Sequence, residues 1–365
     1  MHMQVKEKPL SLAQFFFTII HGIIGVMIFS LPYIGNIYAK NNSWISVIIL
    51  LIGFQLMSIV IIALHKRFPE KNLFEIAEIV MGKTIGRVFN LLLSIYYLVM
   101  AVYACLYFAF LTMEWILPLT PKPVIYLILL IPAYYIASAK LEAFGRFNCI
   151  AIIVTIGLIF SLCFAIPEMK FSFLLPVGEV PLSNIVKASI HIGPVYAGIN
   201  CILIYLPKVN GTMKAKGKAV FYSLLTISFI YLLATLACVA FLGTSAMDIV
   251  IMPVLYLLKS VTILGFFERL DLILISAWLI PSLISFVVYV HLAFTGLTQV
   301  IQKKNNLILF ALFIIIYVSC HATQLSIYTL HRGRDILLPF NSVSMFAVTP
   351  LLLILAVIRK KKFSR

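Results

Sequence analysis

Apolar positions in this chain fall into long unbroken runs of about twenty residues, separated by short polar segments, from Leu10 to Ile358. A run of that length covers a hydrocarbon core of about 30 Å as a helix, and a helix satisfies its own backbone where no water can. The alternation over roughly ten residues that a membrane β-barrel needs is absent. The runs predict spans at 12–36, 43–64, 88–115, 124–138, 147–167, 184–206, 219–243, 270–299, 307–327 and 341–358. The fold class that follows is an all-α polytopic membrane protein with about ten transmembrane helices. Between the second and third spans, NLFEIAEIVMGK places Phe74, Ile76, Ala77 and Val80 on one side of a short interfacial helix, and the segment 245–262 is expected to behave similarly. Every connection is short, so residues 1–365 read as a single transmembrane domain with no soluble domain.

Composition agrees with this solvent assignment. Hydrophobic residues make up 63% of the chain and charged residues 11%, against about 45–50% and 25% in soluble domains. A net charge of +16 would suit nucleic acid, but the basic residues sit in short connections with no soluble face to present them. They give topology instead. Lys66, Arg67, Lys83, Arg87, Lys140, Arg146, Lys208, Lys214, Lys303 and Lys360 all fall on one side of the spans, and the positive-inside rule makes that side, with both termini, cytoplasmic. Lys6 and Lys8 precede an apolar stretch without a small-residue cleavage site, which marks a first span rather than a secretory signal. The six cysteines lie in apolar stretches with no CxxC pair and read as small buried hydrophobes.

Five spans precede residue 170 and five follow, so the halves, about 12–167 and 184–358, start from opposite sides of the membrane. That topology permits an inverted repeat, whose binding site is marked by interrupted helices at matching positions. The first span contains His21-Gly22-Ile23-Ile24-Gly25, and the sixth contains Gly193-Pro194-Val195-Tyr196-Ala197-Gly198. Proline lacks an N–H and glycine bends freely, so unwinding there exposes backbone donors and acceptors inside a dry bundle. Half-helix ends hold a charged solute, with N-terminal dipoles facing a carboxylate and carbonyls facing an ammonium. The competing explanation is that glycine and proline simply pack or kink membrane helices; their coincidence in both halves favours a small-molecule site near the midplane.

The stretch GVMIFSLP at 25–32 resembles the first-helix signature of the amino acid–polyamine–organocation transporter superfamily. FFERLDLILISAWLI at 266–280, with IYLPK at 204–208 and the basic C-terminal tail, resembles the B subunits of spore germinant receptors, the GerAB-type spore germination permeases. The resemblance covers essentially the whole chain. It implies a LeuT-like 5+5 inverted repeat with broken first and sixth helices, and a receptor subunit in the inner spore membrane that senses an amino acid or another small nutrient. It also implies two partners, a larger A subunit and a lipoprotein C subunit. Carried over by position, the pocket is expected at Gly22 and Gly25 in the first break, Tyr96 and Tyr97 in the third span, Val195, Tyr196 and Gly198 in the sixth, and Ser285 in the eighth. Met27 stands where related motifs often have a small residue, and Gly198 where an aliphatic side chain occurs.

Individual residues carry these expectations unevenly. Tyr96, Tyr103 and Tyr107 share a face at helical spacing and suit either a pocket or interhelical packing. Ser282 and Ser285 follow Pro281 by up to a turn and either contact a ligand or bond back to the preceding turn. His21, His191, His291 and His321 fall in or beside spans, where an ionisable group is a functional candidate but a neutral, carbonyl-bonded histidine is commoner. Glu268, Arg269 and Asp271 suggest an ion-pair network at the outer face, with Glu114 as a further acid there. No Asp or Glu occupies the centre of a span, which weakens a proton-driven pump. No GxSxG, Walker loop, HExxH or Cys/His cluster occurs, so neither an enzyme nor a metal or cofactor site is expected. The function classes are a germinant receptor subunit, a secondary permease for amino acids or amines, and a structural subunit whose vestigial pocket holds no ligand.

Overall fold

The structure, a computed structural model, describes residues 8–260, 270–303 and 305–361, with the side chains of 270 and 271 left out. Residues 266–269 of the FFERLD segment singled out above, with Glu268 and Arg269, therefore lie outside the described residues, as do the side chains of Leu270 and Asp271. Among the described residues the regular secondary structure is helical, joined by one isolated parallel bridge between Leu10 and Val209. Within the described residues, seven helical segments are long and apolar enough to cross a membrane: Leu31–Arg67, Lys83–Trp115, Leu141–Glu168, Leu182–Lys208, Met213–Met247, Leu272–Ile301 and Ile327–Ile358. Three shorter apolar helices, Leu12–Ile23, Lys122–Ser138 and Asn306–Ala322, accompany them. The seven long segments do not coincide one-to-one with the ten predicted spans: the first span is split and its second piece runs on into the next, and the predicted spans 124–138 and 307–327 correspond to two of the shorter helices.

The first split has a local cause. Helix α1 (Leu12–Ile23) starts from a Ser11–Gln14 capping box and ends where Ile24 and Gly25 turn extended. A 3₁₀ turn at Val26–Phe29 leads into α2 (Leu31–Ala39), and Lys40 at φ 48° starts the corner that opens α3 (Ser43–Arg67). The second split is at α8 (Leu182–Ile192), followed by a 3₁₀ stretch over Gly193–Asn200 containing Pro194, then α9 (Cys201–Tyr205). Of its most apolar stretch 89% is buried, against 33–61% for the other six, so the broken sixth span is the innermost of these seven segments.

The remaining helices enclose these two. They are α4 (Leu73–Met81), α5 (Lys83–Trp115), α6 (Lys122–Ser138), α7 (Leu141–Cys163), α10 (Met213–Met247), α11 (Pro253–Ser260), α12 (Leu270–Ile301), α13 (Asn306–Ala322), α14 (Ile327–Phe346) and α15 (Val348–Ile358). Among the described residues the most extensive helix-to-helix packing is α5 on α12, while α10 packs on α1 and α3. Two sequence expectations change here. The short helix α4 forms, held by an Asn72–Glu75 capping box, but Phe74, Ile76, Ala77 and Val80 face the protein rather than a bilayer interface and are fully buried. The tenth span is longer than 341–358, because the helix already begins at Ile327 and takes in His331 to Asp335.

Candidate functional site

The two breaks meet. A Cβ built on Gly198 would fall on the carbonyl of Gly22, so the sixth-span break can lie against the first only where position 198 has no side chain. Gly25 is similarly confined: a Cβ there would sit 2.8 Å from Ser285 Oγ on α12. Unwinding leaves carbonyls without helical partners, and Tyr231 of α10 serves both strands of the junction. Its hydroxyl lies 3.4 Å from the Ile23 carbonyl and 3.3 Å from the Val195 carbonyl. A phenol has one proton to donate, so the two acceptors share it, and the first and sixth spans are coupled through a third.

A small cavity of about 30 Å³ opens beside this junction. Ile23, Gly25, Val26 and Met27 line it from the first break, Pro194 and Val195 from the sixth, Met100, Tyr103, Ala104 and Tyr107 from α5, and Ser285 and Tyr289 from α12. It has room for about one water. Its phenols are held in place: Tyr107 shares a short hydrogen bond with Ser30, and Tyr103 donates to the Leu330 carbonyl at 3.2 Å. Larger clefts lie towards the ends, notably one of about 450 Å³ lined by Asn72, Tyr205, His291 and Gln302.

The residues expected from sequence divide into three groups. Gly25, Val195 and Ser285 line the cavity, while Gly22 and Gly198 form the contact behind it. Tyr96, Tyr97 and Tyr196 do not line it. Tyr96 donates to Asn341 Oδ1 at 2.6 Å, Tyr97 lies 3.5 Å from Ser344 Oγ, and Tyr196 pairs with Ser228 at 2.7 Å while stacking on Phe54. Those side chains instead tie the site to α14, α10 and α3; Asn200 adds a 2.8 Å bond to Ser344. Sequence reasoning missed Tyr231, which sits unremarkably within an apolar run, and Tyr289, which follows Ser285 at i+4 and was readable from that spacing.

The histidines make contacts within the chain. His291 Nε2 lies 3.0 Å from the Ala137 carbonyl and Nδ1 2.6 Å from the Tyr205 hydroxyl, which fits a neutral ring donating from Nε2 and accepting at Nδ1. His21 Nε2 meets Thr155 Oγ1 at 3.3 Å, His191 stacks on Tyr38, and His321 stacks on Tyr317. Among the described residues no group of three His, Cys, Asp or Glu is placed to hold a metal ion. Glu114 lines a cleft with Trp115 and Lys259, away from the breaks.

Comparison with known proteins adds what geometry alone does not. A family model described as "Spore germination protein" matches residues 9–329. Spore germination protein A2 of Bacillus subtilis (strain 168) is 23% identical over 373 aligned positions, covering 98% of this chain and 99% of that protein. Spore germination protein B2 of the same organism is 22% identical over 306 residues, 83% of each chain. Spore germination protein GerQB of Bacillus cereus is 21% identical over 318 residues, 86% of each.

Proposed function

We propose, from the premise that this chain belongs to the spore germination protein family, that it is the membrane subunit of a nutrient-germinant receptor and binds a small nutrient between its two broken helices. That it is a multi-pass membrane protein of this family is the firm ground. On this reading the ten predicted spans form one domain of two inverted halves, LeuT-like, in the inner spore membrane with both termini cytoplasmic. The larger A subunit and lipoprotein C subunit complete the receptor. The nutrient, an amino acid in the first instance, contacts Gly25, Val195 and Ser285 directly. Gly22 and Gly198 set the approach of the breaks, and Tyr96, Tyr97 and Tyr196 act from the layer behind.

The observation that carries the reading is the convergence of both breaks on one cavity lined by phenols and a serine. Peptide groups released from helical bonding deep in an apolar bundle are costly unless something uses them. A cavity of about 30 Å³ is too small for a nutrient, so the bound arrangement must be a wider one. A ligand that favours the wider arrangement shifts the population towards it, and partner subunits that bind the two arrangements unequally receive the signal.

Direct binding of the twenty L-amino acids to the full chain in lipid nanodiscs tests this. Gly25→Leu, whose side chain must occupy the cavity, is expected to weaken binding at least tenfold. If it binds every ligand as the unmodified chain does, the nutrient sits elsewhere. Ion-coupled uptake into proteoliposomes by the chain alone would instead assign it to the permeases, since the fold supports either role.

A further inference from the structure

Helix α14 carries the charged run His331-Arg332-Gly333-Arg334-Asp335, and this run lies against the cavity wall. The Tyr103 hydroxyl donates to the Leu330 carbonyl at 3.2 Å, and a Cβ on Gly333 would stand 3.1 Å from the Tyr103 ring. His331 stacks on Tyr33 of α2 at 6.3 Å between centroids. One residue beyond Gly333, the Arg334 side chain is only 14% exposed. Arg334 follows Leu330 by one helical turn, so the two share the face of α14 that meets Tyr103.

Within the described residues the ion pairing of this guanidinium is incomplete. Among the described residues its carboxylate partner is Asp335, whose side chain is 59% exposed. Nε and Nη2 both reach the same Asp335 oxygen, each at 3.0 Å. Adjacent residues on a helix do not face each other, so this pair bends Arg334 along its own helix instead of across the bundle. Two of five donors are engaged in it. A nearly enclosed guanidinium with spare donors, beside a cavity of phenols, has the shape and charge to take a carboxylate through paired hydrogen bonds.

We propose that Arg334 docks the carboxylate of the ligand at the α14 side of the cavity, exchanging Asp335 for it. The ligand is then a carboxylic acid, and an amine, sugar or nucleoside is excluded. The inference rests on the proposed nutrient site and narrows its ligand class. Phenol hydroxyls of Tyr103 and Tyr107 would flank the docked group, and the remainder of the ligand would extend towards Gly25 and Val195.

The test uses the full chain in nanodiscs with the twenty L-amino acids and the primary amide of each. The unmodified chain should bind an acid at least tenfold more tightly than its amide. Arg334→Gln should bring the acid down to the affinity of the amide, and Arg334→Lys, which keeps the charge without the fork, should fall between. Asp335→Asn should raise acid affinity several-fold by removing the competitor. Equal binding of acid and amide by the unmodified chain overturns the proposal without any variant, as does binding of none of the acids. So does an acid-to-amide ratio that survives in a folded Arg334→Gln; if that variant does not fold, an unchanged ratio in Arg334→Lys decides against it. Should Gly25→Leu abolish binding while the ratio survives in Arg334→Gln, this inference fails and the nutrient site stands. If Gly25→Leu changes nothing, it is the nutrient site that fails.

Discussion

At the scale of single residues, the junction depends on one missing atom and one hydroxyl. A methyl at position 198 would occupy the space of the Gly22 carbonyl, and backbone cannot move aside as a flexible side chain can, so Gly198→Ala should destabilise the chain by at least about 1–3 kcal/mol. Gly157, on α7, has nothing within 4 Å of its built Cβ, so Gly157→Ala should be neutral or raise stability by about 0.5–1 kcal/mol through helix propensity. Thermal unfolding of the two variants in the same lipid separates close approach from a general aversion to substitution: equal midpoints would show that the breaks are not in contact. Tyr231→Phe removes the hydroxyl shared by the Ile23 and Val195 carbonyls while leaving the ring against Tyr196, with centroids 5.1 Å apart. Two buried acceptors then lose their donor, a loss of about 1–3 kcal/mol, and amide exchange near residues 23–26 and 195–199 should quicken. Unchanged exchange there would mean that water or another group already serves those carbonyls.

At the scale of elements, the sequence shows apolarity clearly but not what each apolar face touches. The long runs announce membrane helices because length and composition alone decide that. The breaks at Gly25 and Pro194 were legible because glycine and proline act locally on φ and on the N–H ladder. Pro281 carries the same local signal, yet α12 continues through it, so a proline permits a break without imposing one. For α4 the sequence correctly groups Phe74, Ile76, Ala77 and Val80 on one side, but lipid and protein reward that stripe alike. Only tertiary contacts turn it inward, among them Asn90 Nδ2 on the Phe74 carbonyl at 2.9 Å and an Arg359 Nη1 bond to the Val80 carbonyl at 2.8 Å. The tyrosines of α5 divide for a related reason: Tyr96, Tyr103 and Tyr107 share a face, but on a helix of 33 residues only the depth of the break selects the turn that meets the cavity, and that turn carries Tyr103 and Tyr107 and not Tyr96. Because the capping box of α4 is local, Asn72→Ala should cost about 1 kcal/mol, read as faster exchange confined to residues 73–81. Loosening that spread into α5 and α12 would make α4 a keystone of the bundle instead of a cap on it.

For the whole molecule, the issue is whether the two broken helices can move independently at their basic ends. The segment entering α1 is tied to the segment leaving α9 by Leu10 N to the Lys208 carbonyl and Asn210 N to the Leu10 carbonyl, both 2.9 Å, which form the parallel Leu10–Val209 bridge. Bridged strands lie about 4.7–4.9 Å apart, within the 4.4–6.8 Å Cα separation that a disulfide spans. The bridge therefore closes both broken helices at one end in this compact arrangement, and Leu10→Cys with Val209→Cys can make that closure covalent. A complete population switch needs about a 10⁴-fold difference in ligand affinity between the arrangements, and no ligand can supply it once one arrangement is chemically forbidden. If signalling requires these ends to part, oxidised spores carrying the pair should lose their nutrient response and regain it with a reductant, while each single cysteine variant responds normally. A full response from the cross-linked form would confine the working motion to the α14 side of the cavity and leave the basic end as a fixed hinge.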